Sequence, residues 1–222
     1  MMTSVSRVPV TASNAHVQRV LDVTLGALLL VLSAPLLLVL ALAVRLDSPG
    51  PVLYRQTRVG LHGNTFPMLK LRTMFEGASE ASHRRHIRQL MAAQSPWSPL
   101  EHDPRITRVG RLLRRTGLDE LPQLWNVVRG EMSLVGPRPA LPYETALWQS
   151  WHFERLAVRP GITGLWQVNG RGTADFDDMV RMDLEYVERQ CLALDLTILA
   201  RTPLAAVRGR TAPQAAHGRE PS

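Results

Sequence analysis

Cysteine and lysine are nearly missing from this chain of 222 residues, at one copy each, Cys191 and Lys70. A lone cysteine excludes an internal disulfide framework. That fits a reducing compartment. Gln190 and Leu192 flank Cys191 and offer neither a base nor a metal partner, so it reads as structural. Aromatic residues are sparse at 5%. With no recognisable nucleic-acid motif either, nucleic acid is not expected as a partner, despite a net charge of +7. Charge is absent altogether between Val23 and Val44. What the chain does have is apolar residues, at 45%, which rules out a disordered protein. It also has arginine, which supplies every basic residue except Lys70. The arginine excess reads as compositional bias or as attraction to anionic lipid and phosphorylated substrates.

The uncharged stretch Val23–Val44 is 22 residues long. A bilayer needs about 20. A cleaved signal peptide is not expected, because Arg45-Leu46-Asp47 is no small-residue cleavage site. Pro35 lies near the middle and is expected to break or kink the helix. Either a kinked helix crosses the membrane, or the segment enters one leaflet, turns at Ser33-Ala34-Pro35 and returns. Arginines flank the segment on both sides, so the positive-inside rule does not demand a crossing.

Four regions follow along the chain. Residues 1–15 read as a disordered N-terminus, 16–46 as the membrane hairpin, 47–208 as one catalytic domain with it, and 209–222 as a disordered tail. The turn cluster Asp47-Ser48-Pro49-Gly50-Pro51 ends the membrane segment. Val52–Gln56 and Phe66–Leu71 read as the strands of a small β-hairpin. Helices are predicted over Gly77–Ala93, which is polar and reads as a solvated helix or a mobile loop, and over Ile106–Arg115, Leu118–Arg129, Asp177–Gln190 and Leu192–Val207. The fold class is α+β, mainly helical. Ile106–Arg115 sets Val109, Leu112 and Leu113 against Arg108, Arg111, Arg114 and Arg115. Such a helix rests on a membrane surface or lines an anion site.

Asp119 and Glu120 are adjacent acids in the expected first turn of the Leu118–Arg129 helix. Acids are common there for stability alone, because the unpaired amides and the dipole favour anions. The surroundings point further. Arg111, Arg114 and Arg115 precede the pair, and the rigid turns at Gly136-Pro137-Arg138-Pro139 and Arg159-Pro160-Gly161 present cations downstream. Rigid turns carrying arginine suit diphosphate recognition. Carboxylates among such cations suit a metal–diphosphate site.

These residues carry a resemblance. Ser48-Pro49-Gly50-Pro51-Val52 with Arg55-Gln56 and Arg58-Val59-Gly60, Lys70-Leu71-Arg72-Thr73-Met74, Asp103 to Gly110, Leu118 to Leu124, Met132 to Pro139, and Val158 to Gly164 with Gln167, Gly170 and Arg171 occur in that order. Over about Val17 to Arg201 the chain resembles the bacterial sugar transferases, or monotopic phosphoglycosyl transferases. The resemblance implies Asp119 as nucleophile on the β-phosphorus of a UDP-sugar, with UMP released and polyprenyl (undecaprenyl) phosphate as acceptor. It implies Glu120 as the ligand of Mg2+. Lys70, Arg72, Arg114, Arg138, Arg159, Gln167 and Arg171 are the expected substrate-binding residues. Asp183 and Asp195 fall on the family's C-terminal acidic positions, in structural or supporting roles. The resemblance further implies a re-entrant hairpin broken by Ser-Pro, both ends cytoplasmic, with amphipathic helices on the lipid surface around the active site. The expected location is the cytoplasmic face of a bacterial inner membrane. Here the proline falls on Pro35, while the serine, Ser33, sits one position early. The product would feed exopolysaccharide, capsule, O-antigen or glycoprotein assembly. Sugar, pathway and oligomeric state, homodimer included, stay open.

Overall fold

The computed structural model describes residues 12–93, 95, 103–170 and 174–208. The tail 209–222 and Arg171 lie outside the described residues, as does the N-terminus before residue 12. Helix α1 (Ala12–Asp47) opens the fold, four residues earlier than the disordered start predicted through Ala15 would allow. It is the one helix among the described residues long and apolar enough to cross a membrane. Its sequence explains why it is both helical and lipophilic: Leu, Ala and Val dominate, and Arg45 in the last turn faces the negative end of the dipole.

The helix runs through Pro35 without interruption, so the predicted helix-break-helix is not a break in secondary structure. Proline removes only the bond to the carbonyl one turn back, and the flanking turns persist. Ser33 Oγ donates to Leu30 O at 3.1 Å, back-bonding beside the proline. Val31, Leu32, Leu38 and Val39 are between 65% and 73% exposed, an apolar surface without a protein partner.

Strands β1 (Leu53–Val59) and β2 (Thr65–Leu71) form the predicted antiparallel hairpin, longer than expected on both sides. Helix α2 (Ala81–Ala93) follows, then α3 (Arg108–Thr116). The predicted Leu118–Arg129 helix divides. A 3-10 turn spans Leu118–Glu120, and α4 (Gln123–Arg129) begins after Pro122. The reason is local: Glu120 N and Leu121 N bond carbonyls three residues back, and Pro122 has no N–H to continue a ladder.

Two strands of three residues each, β3 (Ser133–Val135) and β4 (Gly161–Thr163), pair in parallel. Between them lie the short helix α5 (Pro142–Thr145) and a 3-10 segment, Ser150–Ala157. Helices α6 (Leu165–Asn169), α7 (Phe176–Arg189) and α8 (Leu192–Arg208) complete the chain. The main core gathers Phe66 and Met68 of β2, Leu124 and Val127 of α4, Met132, Leu134 and Val135 around β3, Tyr186 and Ile198. Leu25 and Leu30 of α1 pack on it, while Val44 of α1 joins Leu71 and Leu113 in a second core. The helix therefore contributes to the body on both sides of Pro35.

Candidate active site

Alternation along the hairpin puts Tyr54, Gln56 and Arg58 on one face, and the register brings Lys70 opposite Tyr54 on that same face. Helix α3 lies beside the strand's exit. Thr107 N bonds Thr73 O, and Thr107 Oγ1 caps the helix by accepting from Gly110 N at 3.0 Å. Gly110 allows the close approach, since a Cβ there would stand 2.2 Å from Thr73 O. This docking delivers Arg114, whose Nε donates to Thr73 Oγ1 at 2.8 Å. Gly117, at φ 75°, then ends α3 in the left-handed region and starts the 3-10 turn that carries both acids.

Asp119 is 7% exposed. Burial raises its carboxyl above the ordinary carboxylate range, and Glu120 adds to this; Lys70 and Arg114 oppose both. Lys70 Nζ lies 3.1 Å from Glu120 Oε1. Lys70, Arg114, Asp119 and Glu120, which the sequence placed on three separate segments, thus share one locus. A buried carboxylate, opposed cations and a second carboxylate are parts that phosphoryl transfer can use, because that chemistry depends mainly on positioning and charge neutralisation.

The other expected residues have partners of their own. Arg72 is buried and donates to Ser48 O at 2.6 Å, to Val44 O at 3.3 Å and to Pro49 O, closing the C-terminal end of α1. Arg159 Nε donates to Gly130 O at 2.9 Å, next to the end of α4. Gln167 Nε2 donates to Ile162 O at 3.0 Å. Arg138 pairs with Glu144 at 3.1 Å. Burial pushes Glu144 up, but Arg138 and Arg58 outweigh it and hold the carboxyl below its ordinary value. Asp183 ion-pairs with the fully buried Arg155, which donates to Arg138 O at 3.0 Å, so Asp183 supports the turn that carries Arg138. Asp195 accepts from Tyr186 at 2.8 Å and from Gln18 at 3.0 Å, tying α8 to α7 and α1; burial raises it to about 6.

Sequence reasoning missed Asn126. It is buried in α4, accepts from Leu69 N at 3.0 Å and donates to Pro67 O at 2.9 Å, replacing the neighbour that β2 lacks on that edge. This bracket fixes the strand of Lys70 against the helix that follows Asp119 and Glu120. The available signal was a single asparagine among the apolar residues of Leu124–Val128. Arg58, quoted only as part of a motif, is buried and donates to Pro139 O at 2.8 Å.

The donor set suits a divalent ion shared with substrate. No cluster of three or more metal-ligating side chains occurs among the described residues. Mg2+ commonly takes one or two carboxylates and completes its shell with phosphates and water. Glu120, next to Asp119, can supply that share.

The sequence profile described as Bacterial sugar transferase matches residues 13–209. The chain is 45% identical over 196 residues to the UDP-glucose:undecaprenyl-phosphate glucose-1-phosphate transferase of Caulobacter vibrioides, covering 83% of this chain and 67% of that protein. It is 40% identical over 188 residues to the exopolysaccharide production protein ExoY of Rhizobium meliloti, covering 83% of each. With the undecaprenyl-phosphate galactose phosphotransferase of Salmonella typhimurium the identity is 39% over 203 residues, or 88% of this chain and 41% of that longer protein. Profile and relatives agree over nearly the whole described body, and this chain belongs to the bacterial sugar transferase family.

Proposed function

We propose that the chain transfers a phosphosugar from a UDP-sugar to undecaprenyl phosphate, through a covalent adduct on Asp119. The observation that carries this reading is the buried Asp119 carboxylate set against Lys70 and Arg114, beside the Lys70–Glu120 pair. The names of the relatives support the acceptor class, and one of them supports a UDP-sugar donor.

An oxygen of ionised Asp119 attacks the β-phosphorus. The bond from that phosphorus to the bridging oxygen breaks, and UMP leaves with the electron pair. A phosphate oxygen of the lipid then attacks the same phosphorus, and the Asp119 carboxylate is released. No proton need be removed from the nucleophile at neutral pH, which suits a carboxylate. Burial strips water from it, while Lys70 and Arg114 keep the ionised form accessible. Glu120 with the donor phosphates would hold Mg2+, which supplies charge neutralisation at the diphosphate.

The membrane arrangement proposed is a re-entrant one, at the cytoplasmic face of the inner membrane. Arg19 and Asp22 before Pro35, and Val44 and Asp47 after it, all touch the same body, which supports both ends lying on one side. A lipid phosphate and a soluble nucleotide sugar then meet at one interface.

The test is to incubate the purified chain with UDP-sugars and Mg2+ but no acceptor. A phosphosugar adduct on Asp119, detected by peptide mass spectrometry and absent in Asp119→Asn, is the expected result. Asp119→Asn retaining UMP release would reject the assigned nucleophile.

A further inference from the structure

Asp103 is 8% exposed, and the residues around it set its position. Pro104 fixes the backbone of a turn in which Ile106 N donates to Asp103 O at 3.2 Å and Arg105 N to Asp103 Oδ1 at 3.0 Å. The turn is fastened to the segment that leaves β2. Phe75 N donates to Arg105 O at 2.9 Å, and Thr107 N to Thr73 O at 3.1 Å. Arg105 then folds back on the acid with two arms of its fork. Nε lies 2.7 Å from Oδ1 and Nη2 lies 2.6 Å from Oδ2, while Nη1 donates to Ser79 O. Bidentate pairs of this kind are among the strongest a carboxylate makes. The bond to Arg105 holds the Asp103 carboxyl below its ordinary range in spite of burial.

The pair stands beside Arg114. Burial lowers the Arg114 guanidinium; Asp119 and then Asp103 oppose the drop, and Arg105 adds to it. Arg114 therefore has two acids within electrostatic reach. One is the candidate nucleophile, and the other has no part in the proposed chemistry. The stem of Arg114 is fixed by the bond from Nε to Thr73 Oγ1 at 2.8 Å. A buried carboxylate left alone is more costly than one hydrogen bond is favourable. An unpaired Asp103 would draw Arg114 across, away from Asp119.

We propose that Arg105 is a positioning residue: by engaging Asp103 with two arms of its fork, it silences a competing acid and reserves Arg114 for the Asp119 site. The inference deepens the phosphosugar-transfer reading and rests on it for the role of that site. A buried ion pair adds little stability over apolar residues of the same size. A silenced acid next to a working cation, by contrast, has a consequence for the chemistry.

The experiment measures single-turnover UMP release by the full chain in detergent micelles with saturating donor and Mg2+, and follows the Asp119 adduct in the same samples. The donor is whichever of UDP-glucose and UDP-galactose wild type turns over faster. Arg105→Gln is expected to release UMP about tenfold more slowly, a smaller loss than removing a preorganised charge outright. Asp103→Asn combined with Arg105→Gln is expected to return to within about twofold of wild type, because no competing charge remains. In an Arg114→Gln background, adding Arg105→Gln should change the rate by less than about twofold. A simple clamp on the turn cannot give this rescue: the double variant would then be no faster than Arg105→Gln, and that result overturns the proposal. A full rate in Arg105→Gln overturns it too, as does a further tenfold loss in the Arg114→Gln background. If Arg105→Gln does not fold, the double variant decides: a rate near wild type supports the reservation of Arg114, and a tenfold loss overturns it. No adduct on Asp119 in wild type, with this pattern of rates intact, would reject the nucleophile and leave the hold of Arg105 over Arg114 standing. An adduct that forms as fast in Arg105→Gln as in wild type would overturn that hold and leave the nucleophile standing.

Discussion

Lys70 Nζ and Glu120 Oε1 stand 3.1 Å apart, so the chain's single lysine is tied to the acid next to the candidate nucleophile while its charge also acts on Asp119. Lys70→Gln is expected to lower kcat/KM for UMP release about 100-fold or more, the scale of removing one preorganised charge. Lys70→Arg is expected to recover only part of the loss, because a planar fork does not replace a compact ammonium. Steady-state kinetics on both variants check this, and full activity in Lys70→Gln would remove the lysine from the mechanism.

The Asp119 carboxyl is raised by burial and by Glu120. In the proposed mechanism only its ionised form attacks phosphorus, so activity is expected to be lost as pH falls through the raised value. The acid limb of kcat/KM is therefore expected above the ordinary aspartate range. Lys70 opposes the rise, so the residual activity of Lys70→Gln should show that limb displaced to still higher pH. A limb that stays put on removing Lys70 would contradict the electrostatic coupling.

Asn126→Leu leaves Leu69 N and Pro67 O without their partners. Each orphaned buried group costs about 1–3 kcal/mol. A lower midpoint of denaturant unfolding is expected, together with reduced kcat, because the strand of Lys70 loses its bracket. Unchanged stability would show that water replaces the amide.

Asp183→Asn leaves the Arg155 charge buried and alone. The expected destabilisation is about 3–5 kcal/mol. Replacing both, as Arg155→Met with Asp183→Leu, should cost less than either single change if charge is the cause. Because Arg155 also holds Arg138 O, the double variant should still show a raised KM for the donor. Calorimetry and kinetics on the three variants separate the two effects.

The hairpin, the membrane helix and four of the five predicted helices were legible because each has a strong local period or clear turn residues. The division at Leu118–Arg129 was not, since Pro122 is compatible with a first helical turn and only the bonds back to Gly117 and Leu118 decide otherwise. β3 and β4 were illegible for a different reason. Three residues carry too little alternation, and their partner lies far along the chain. The locus of Lys70, Arg114, Asp119 and Glu120 followed from the motif order. Arg72 did not separate from it, because a motif does not say whether a cation faces substrate or the carbonyls of Val44 and Ser48. Arg58 came into view only when β1 was seen fastened to Pro139, a contact between distant segments.

Helix α1 meets the body as a working part. Arg19 donates to Val127 O at 2.6 Å and Val128 O at 2.8 Å at the end of α4, and Asp47 accepts from Val109 N at 2.9 Å at the start of α3. Those helices flank Asp119 from either side. A soluble version cut before Ser48 would therefore lose more than its hold on lipid: the ends of both flanking helices would be left open, and Val127 would face water. Solubilisation strategies for this chain must keep the greasy segment and change its surroundings instead.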